Sequence, residues 1–234
     1  MPALPFASAS RPVLLGHRGA PRVARENTLE AFQAALEAGL DGVEFDVQKT
    51  RDGILVVHHD FHVEGAAIAE LDWPDLNRRA PWIPRLEAVL ELLDAYPEAY
   101  ANVELKSQPP RSDGREALLA RALLAWPGRE RAWVSSFDPL ALVRLWRETK
   151  EIPLGLLYEQ QEMLALRSCV HAEAVHPRRD LLDVDQVAAL KAQGLAVVVW
   201  TVNDLEEARR LLSWGVDALI GDDPEVLLAA RRNV

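Results

Sequence analysis

The stretch Gly42-Val43-Glu44-Phe45-Asp46-Val47-Gln48-Lys49-Thr50-Arg51-Asp52-Gly53-Ile54-Leu55-Val56-Val57-His58-His59-Asp60 alternates apolar residues with acids, then enters a turn and a second apolar run. On a strand with a side-chain period of two, Glu44 and Asp46 share one face while Val43, Phe45 and Val47 share the other. Asp-Gly between two strand-like runs is a strong hairpin signal. A two-residue turn at Asp52-Gly53 pairs Arg51 with Ile54 and sets Asp46 opposite His59, which then faces the same way as the two acids. A three-residue turn moves the register by one and puts His58 there instead. The two-residue form is the better supported, so His59 is the expected site residue.

Outward from this stretch, short apolar runs alternate with helix-period segments. The runs are 13–15, 42–47, 54–57, 101–105, 132–135, 154–158, 173–175, 196–200 and 216–220. The segments with apolar residues at i, i+3 and i+4 are 29–38, 85–95, 115–125, 140–149, 160–169, 184–193, 205–214 and 225–231. Asn27-Thr28 and Asp204 supply N-terminal cap chemistry, and Gly39, Gly194 and Gly215 follow helices where a left-handed residue is favoured. Strand–helix alternation with nearly continuous apolar strands implies a parallel sheet buried on both faces. About eight such units without a dividing linker predict an α/β fold, a closed (β/α)8 TIM barrel spanning residues 1–234 as one domain. It carries an extra β-hairpin after the second strand and a short insertion at 61–82. The alternative is an open doubly wound sheet, but there is no glycine-rich nucleotide loop.

The net charge of −10 with no clustered Lys or Arg argues against nucleic-acid binding. No apolar run approaches the ~20 residues that span a bilayer, and no amphipathic basic segment suits a membrane surface. Residues 1–10 lack the basic start and apolar core of a signal peptide, so the expected location is cytoplasmic. The single cysteine, Cys169, sits in a helix-period stretch and reads as a buried structural thiol.

In a parallel barrel the chemistry lies at the C-terminal ends of the strands. Glu44 and Asp46 facing such an interior repel each other unless a cation lies between them, and a hard divalent ion is the economical solution. The first strand ends in Gly16-His17-Arg18-Gly19, which projects two cationic side chains. The strand after the insertion places Glu104 and Lys106 on one face, either as part of the same cluster or as a simple ion pair. Trp200, His176 with Arg178, and Asp222 also fall at strand ends, where packing, capping and pocket-lining roles are all open.

Taken together and in order, these pieces resemble the glycerophosphodiester phosphodiesterase family. The matching elements are His17-Arg18-Gly19, Glu26-Asn27-Thr28, Glu44-Phe45-Asp46-Val47, Thr50-Arg51-Asp52-Gly53 and His59-Asp60. Further along are Ile83-Pro84-Arg85-Leu86, Val103-Glu104-Leu105-Lys106, Ser136-Phe137-Asp138, Trp200-Thr201-Val202-Asn203 and Gly215-Val216-Asp217. The resemblance implies a barrel that converts a small glycerophosphodiester to glycerol 3-phosphate and an alcohol. It implies Glu44, Asp46 and Glu104 as ligands of one divalent cation, Mg2+ or Ca2+. His17 and His59 would be the general acid and base, and Arg18 and Lys106 the phosphate-binding cations, with Glu26 bracing the first loop. Trp200 and His176 are expected to line the substrate pocket. Two departures bear on alcohol specificity: the short 61–82 segment, and Gly221-Asp222-Asp223-Pro224 where the family usually has Thr-Asp-x-Pro. Competing readings are a barrel phosphodiesterase acting on phospholipids, and a metal-dependent lyase or isomerase acting on a sugar phosphate.

Overall fold

Strands that bury both faces must sort their residues between two cores, and the computed structural model, which describes residues 2–108 and 112–232, shows this sorting directly. The elements in chain order are β1 (Val13–His17), α1 (Leu29–Glu37), β2 (Gly42–Lys49), β3 (Leu55–Val57), β4 (His62–Val63), β5 (Ala66–Ala67), α2 (Trp73–Arg79), α3 (Leu86–Asp94), β6 (Tyr100–Leu105) and α4 (Arg115–Ala125). They continue with β7 (Ala132–Ser136), α5 (Pro139–Glu148), β8 (Leu154–Tyr158), β9 (Ala174–Pro177), α6 (Val184–Ala192), β10 (Ala196–Val199), α7 (Leu205–Ser213), β11 (Ala218–Gly221) and α8 (Pro224–Arg231).

Eight parallel strands in the order β1-β11-β10-β9-β8-β7-β6-β2 close into a ring through the pairing of β1 with β2. This is the (β/α)8 barrel expected from the alternation, with β3 pairing antiparallel to β2 outside the ring. Val43, Phe45, Val47, Ala101, Val103, Leu105 and Val134 face outward into the large core beneath the helices. Val13, Leu15, Trp133, Ala174, Val198, Ala218 and Ile220 form a separate apolar core, which Leu4 and Phe6 of the N-terminal segment join. Phe6 meets Trp133 edge-on at 4.9 Å and Tyr100 at 6.2 Å.

Several expectations need correction. The segment 160–169 is not an α-helix but a 3-10 turn over Gln161–Cys169, so Cys169 is exposed and not buried on an inner helical face. The short insertion expected at 61–82 needs no correction; it forms the β4–β5 hairpin and α2, packed around a small core of Val56, Val63, Ile68, Leu76, Ala80 and Ile83.

The hairpin register is also off by one from the expected form. Val47 pairs with Val57, Gln48 with Val56 and Lys49 with Leu55, which makes Arg51-Asp52-Gly53 a three-residue loop. Gly53 takes φ +87°, the left-handed conformation that such loops require. The Thr50 hydroxyl accepts from Ile54 N–H at 3.0 Å and donates to Asp52 at 2.6 Å. The Asp52 carboxylate in turn accepts the Trp73 N–H, while Arg51 forks onto Asp72. These contacts with α2 and the residue before it are long-range, and they favour the longer loop.

Phe6→Ala should remove much of the contact between the N-terminal segment and the inner core. Loss of about 3 kcal/mol, or roughly 6–12 °C in melting temperature, is expected. Calorimetry should show that loss while kcat stays unchanged, because Phe6 is not among the residues lining the cavity described below.

Candidate active site

The parallel register of β2 with β6 sets Asp46 beside Glu104, and that of β1 with β2 sets His17 beside Glu44. Because all four face inward, three carboxylates converge at one end of the barrel, each offering an oxygen within 4.8 Å of the others. Glu44 and Asp46 are almost wholly buried. Burial and the neighbouring charges of Asp46 and Glu104 push Glu44 well above the usual carboxylate range. Burial and the Asp46 charge push Glu104 up to about 7. Burial also works against ionised Asp46, but Lys106, Arg18 and Asn27 outweigh it and hold that carboxyl below its ordinary value.

Asp46 is thus the anionic hub. Its Oδ2 accepts from Asn27 Nδ2 at 2.8 Å, and its backbone N–H donates to Asn27 Oδ1 at 3.2 Å. Asn27 and Arg18 both adopt positive φ, 56° and 54°, which folds the β1–α1 loop over the acids. The Arg18 N–H donates to Glu44 Oε2 at 3.0 Å, and its guanidinium lies 3.4 Å from Asp46 and bonds both oxygens of Glu26. Lys106 Nζ lies 3.0 Å from Glu104 and 3.5 Å from Asp46 Oδ1. Asp46 Oδ1 is buried without a hydrogen bond. An all-oxygen donor set with such an orphaned acceptor fits a hard divalent cation such as Mg2+ or Ca2+.

These groups open into a cavity of about 350 Å³ that His17, Arg18, Glu44, Glu104 and Lys106 line on one side. Phe137, Leu157, Trp200 and Ile220 line it too, with Phe137 and Trp200 edge to face at 5.3 Å. His17 Nδ1 is 2.6 Å from Asp222 Oδ1, which leaves Nε2 for the cavity. Asn203 braces Asp222 from its other oxygen and from its N–H. Burial works to raise the Asp222 carboxyl, but the His17 hydrogen bond and charge, with Asn203, bring it below its ordinary value.

His59 lines the cavity although the hairpin register places His58, whose N–H donates to Asp46 O, opposite Asp46. The chain leaves the ladder after Val57. Gln48 Nε2 then gathers the carbonyls of His58, His59 and Asp60 at 2.7, 3.2 and 2.8 Å, curling the segment around one amide. His59 Nδ1 lies 2.8 Å from Asp60.

His176 is not a lining residue. Gly155 has no side chain to fill the space beside it, and the His176 ring occupies that space, fully buried, with Nε2 accepting from Trp133. Burial drives its pKa down to about 3, so it stays neutral. Asn27 was legible in the sequence as cap chemistry and as part of the matching Glu26-Asn27-Thr28 element, but not as a partner of Asp46. Asn203 was legible only as the end of the matching Trp200-Thr201-Val202-Asn203 element, and Gln48 carried no signal, because their partners are set by loop paths.

The sequence model of the Glycerophosphoryl diester phosphodiesterase family matches residues 17–226. The chain belongs to this family. A glycerophosphodiester phosphodiesterase from Caldanaerobacter subterraneus subsp. tengcongensis is 32% identical, with 92% of this chain and 96% of the relative covered. Among solved structures, a glycerophosphodiester phosphodiesterase from Thermotoga maritima superposes with a TM-score of 0.79 at 27% identity, over 94% of this chain and 99% of that one. A phosphodiesterase from Oleispira antarctica, solved in complex with the product sn-glycerol-3-phosphate, gives 0.83 at 26% identity, over 97% and 99%. The alignment to the phosphodiesterase family begins at His17 and so takes in every residue of the acidic cluster.

A divalent ion bound at this cluster would displace the proton that Glu104 carries below about pH 7. Affinity should therefore rise with pH, by about tenfold between pH 6 and pH 8 for one such group. Calorimetric titration with Mg2+ or Ca2+ in buffers of different ionisation enthalpy should detect the released proton. Glu44→Gln should abolish the binding at both pH values.

Proposed function

We propose that the chain hydrolyses glycerophosphodiesters to sn-glycerol 3-phosphate and an alcohol in the cavity above Glu44, Asp46 and Glu104. One observation carries this reading. A three-carboxylate cluster, two cationic side chains and two histidines, each with a carboxylate at Nδ1, open into a single cavity of a family member. Glu44, Asp46 and Glu104 would hold one divalent cation, which when bound supplies Lewis-acid polarisation of a phosphoryl oxygen.

The protein's own groups do the remaining work. Arg18 and Lys106 place fixed positive charge beside the phosphate, where negative charge grows in the transition state. In this reading each is more than the partner of an acid: with the carboxylate charge met by the cation, both are available to the substrate. Asp222 keeps the His17 proton on Nδ1, so that Nε2 faces the reacting atoms, and Asp60 does the same for His59. One histidine takes the proton of the nucleophile while the other protonates the leaving oxygen. Beside the phosphate, a divalent ion, Arg18 and Lys106 would set four positive charges against the three carboxylates, a local field that counters the chain's net charge of −10 for an anionic diester.

The deciding assay follows the phosphorylated product from glycerophosphocholine or glycerophosphoethanolamine. Release of sn-glycerol 3-phosphate, abolished by EDTA and restored by Mg2+ or Ca2+, is expected. Release of phosphocholine, or activity that persists in EDTA, would overturn the proposal.

Removing a general acid or base costs roughly 10²–10⁴ in rate. His59→Ala and His17→Ala should each fall in that range, whereas His58→Ala should retain most turnover despite standing opposite Asp46 in the hairpin. Circular dichroism should confirm that all three variants remain folded.

A further inference from the structure

Glu44, Glu104 and Glu159 are the carboxylates that line the cavity, and only Glu159 has no part in the acidic cluster. It follows β8, which lies across the ring from β1 and its His17. Among the described residues the cation that pairs with it is Arg178, 3.9 Å away, but the Arg178 guanidinium is forked onto Asp180 at 2.6 and 3.0 Å. Glu159, Arg178 and Asp180 together therefore leave one negative charge at the rim. Beside them lie Phe137, Leu157, Trp200 and Ile220. Trp200 has one side-chain donor, and it is engaged by the His176 carbonyl at 2.8 Å. These four residues thus present a wall of carbon and aromatic ring surface, and the polar residues Asn102 and Ser135 that also line the cavity are bonded to each other at 3.0 Å.

Aromatic surface next to an uncompensated carboxylate is the chemistry that recognises a quaternary or primary ammonium. Resting on the hydrolase reading above, we propose that this wall is the subsite of the departing alcohol. Glu159 is then its specificity-determining residue, selecting cationic amino alcohols over neutral polyols. With the phosphate at the acidic cluster, the ammonium of a two-carbon amino alcohol is directed toward β8, and the aromatic pair covers its methylene or methyl groups.

The test compares kcat/KM for glycerophosphocholine with that for glycerophosphoglycerol in the wild type, Glu159→Gln and Glu159→Lys. Glu159 is more than half exposed, so both variants should fold. The wild type should prefer the choline ester. The preference ratio should fall on the order of 5-fold in Glu159→Gln and on the order of tenfold or more in Glu159→Lys, whose charge repels the ammonium. High salt should compress the wild-type ratio toward that of Glu159→Gln. A ratio unchanged in both variants, or a wild type that prefers glycerophosphoglycerol, would overturn the assignment while leaving the hydrolase reading intact. Absence of wild-type turnover on both diesters with metal supplied would remove the hydrolase reading, and this proposal with it.

Discussion

Three carboxylates held within 4.8 Å of one another in a barrel interior repel strongly, and much of the surrounding architecture answers that repulsion. Asp46 stays ionised because Lys106, Arg18 and Asn27 converge on it, while Glu44 and Glu104 are driven toward protonation. The β1–α1 loop takes its path from this arrangement. Asn27 reaches the hub through a left-handed backbone, Arg18 turns its N–H onto Glu44, and Glu26 holds the guanidinium in place. A polar interior of this kind costs stability unless every charge has a partner. The outward faces of the same strands, packed beneath the helices, and the apolar inner core joined by Phe6 offset that cost.

The cavity is divided by the order of strands around the ring. β1, β2 and β6 are neighbours and bring the acids, His17 and Lys106 together. β7, β8, β10 and β11 contribute Phe137, Leu157, Trp200 and Ile220, themselves or through the residues that follow them. A charged half beside an apolar half matches a substrate with a charged centre and a less polar arm, such as a phosphodiester of a small alcohol. The two histidines enter from different supports. His17 ends a strand of the ring and is backed by Asp222 and Asn203, whereas His59 sits on a segment curled around the Gln48 amide.

Gln48 also shows why His59 lines the cavity although the register that was expected to place it there does not form. Asp52-Gly53 favours a tight turn locally, yet Thr50, Asp72 and the Trp73 N–H stabilise a three-residue loop. That loop sets His58 opposite Asp46, and simple alternation would then send His59 away from the acids. Alternation no longer applies beyond Val57, because one side-chain amide binds three successive carbonyls and re-aims the chain.

What the sequence determined by itself was whatever depends on periodicity. The eight strands of the ring and the α-helices that follow all of them but β8, the shared face of Glu44 and Asp46, and that of Glu104 and Lys106 all follow from spacings of two and of three to four residues. Those spacings hold wherever the elements form. The tertiary structure alone decided the contacts made by loops and by residues distant in the chain. It placed Asn27 on Asp46 and Asp222 behind His17, and laid the His176 ring into the space beside Gly155, out of the cavity. It also exposed Cys169 by replacing the expected helix with a 3-10 turn. The physical reason is the same in each case. A side chain's direction outside regular structure is set by which partner groups the rest of the fold brings within hydrogen-bond reach, and that information is not local.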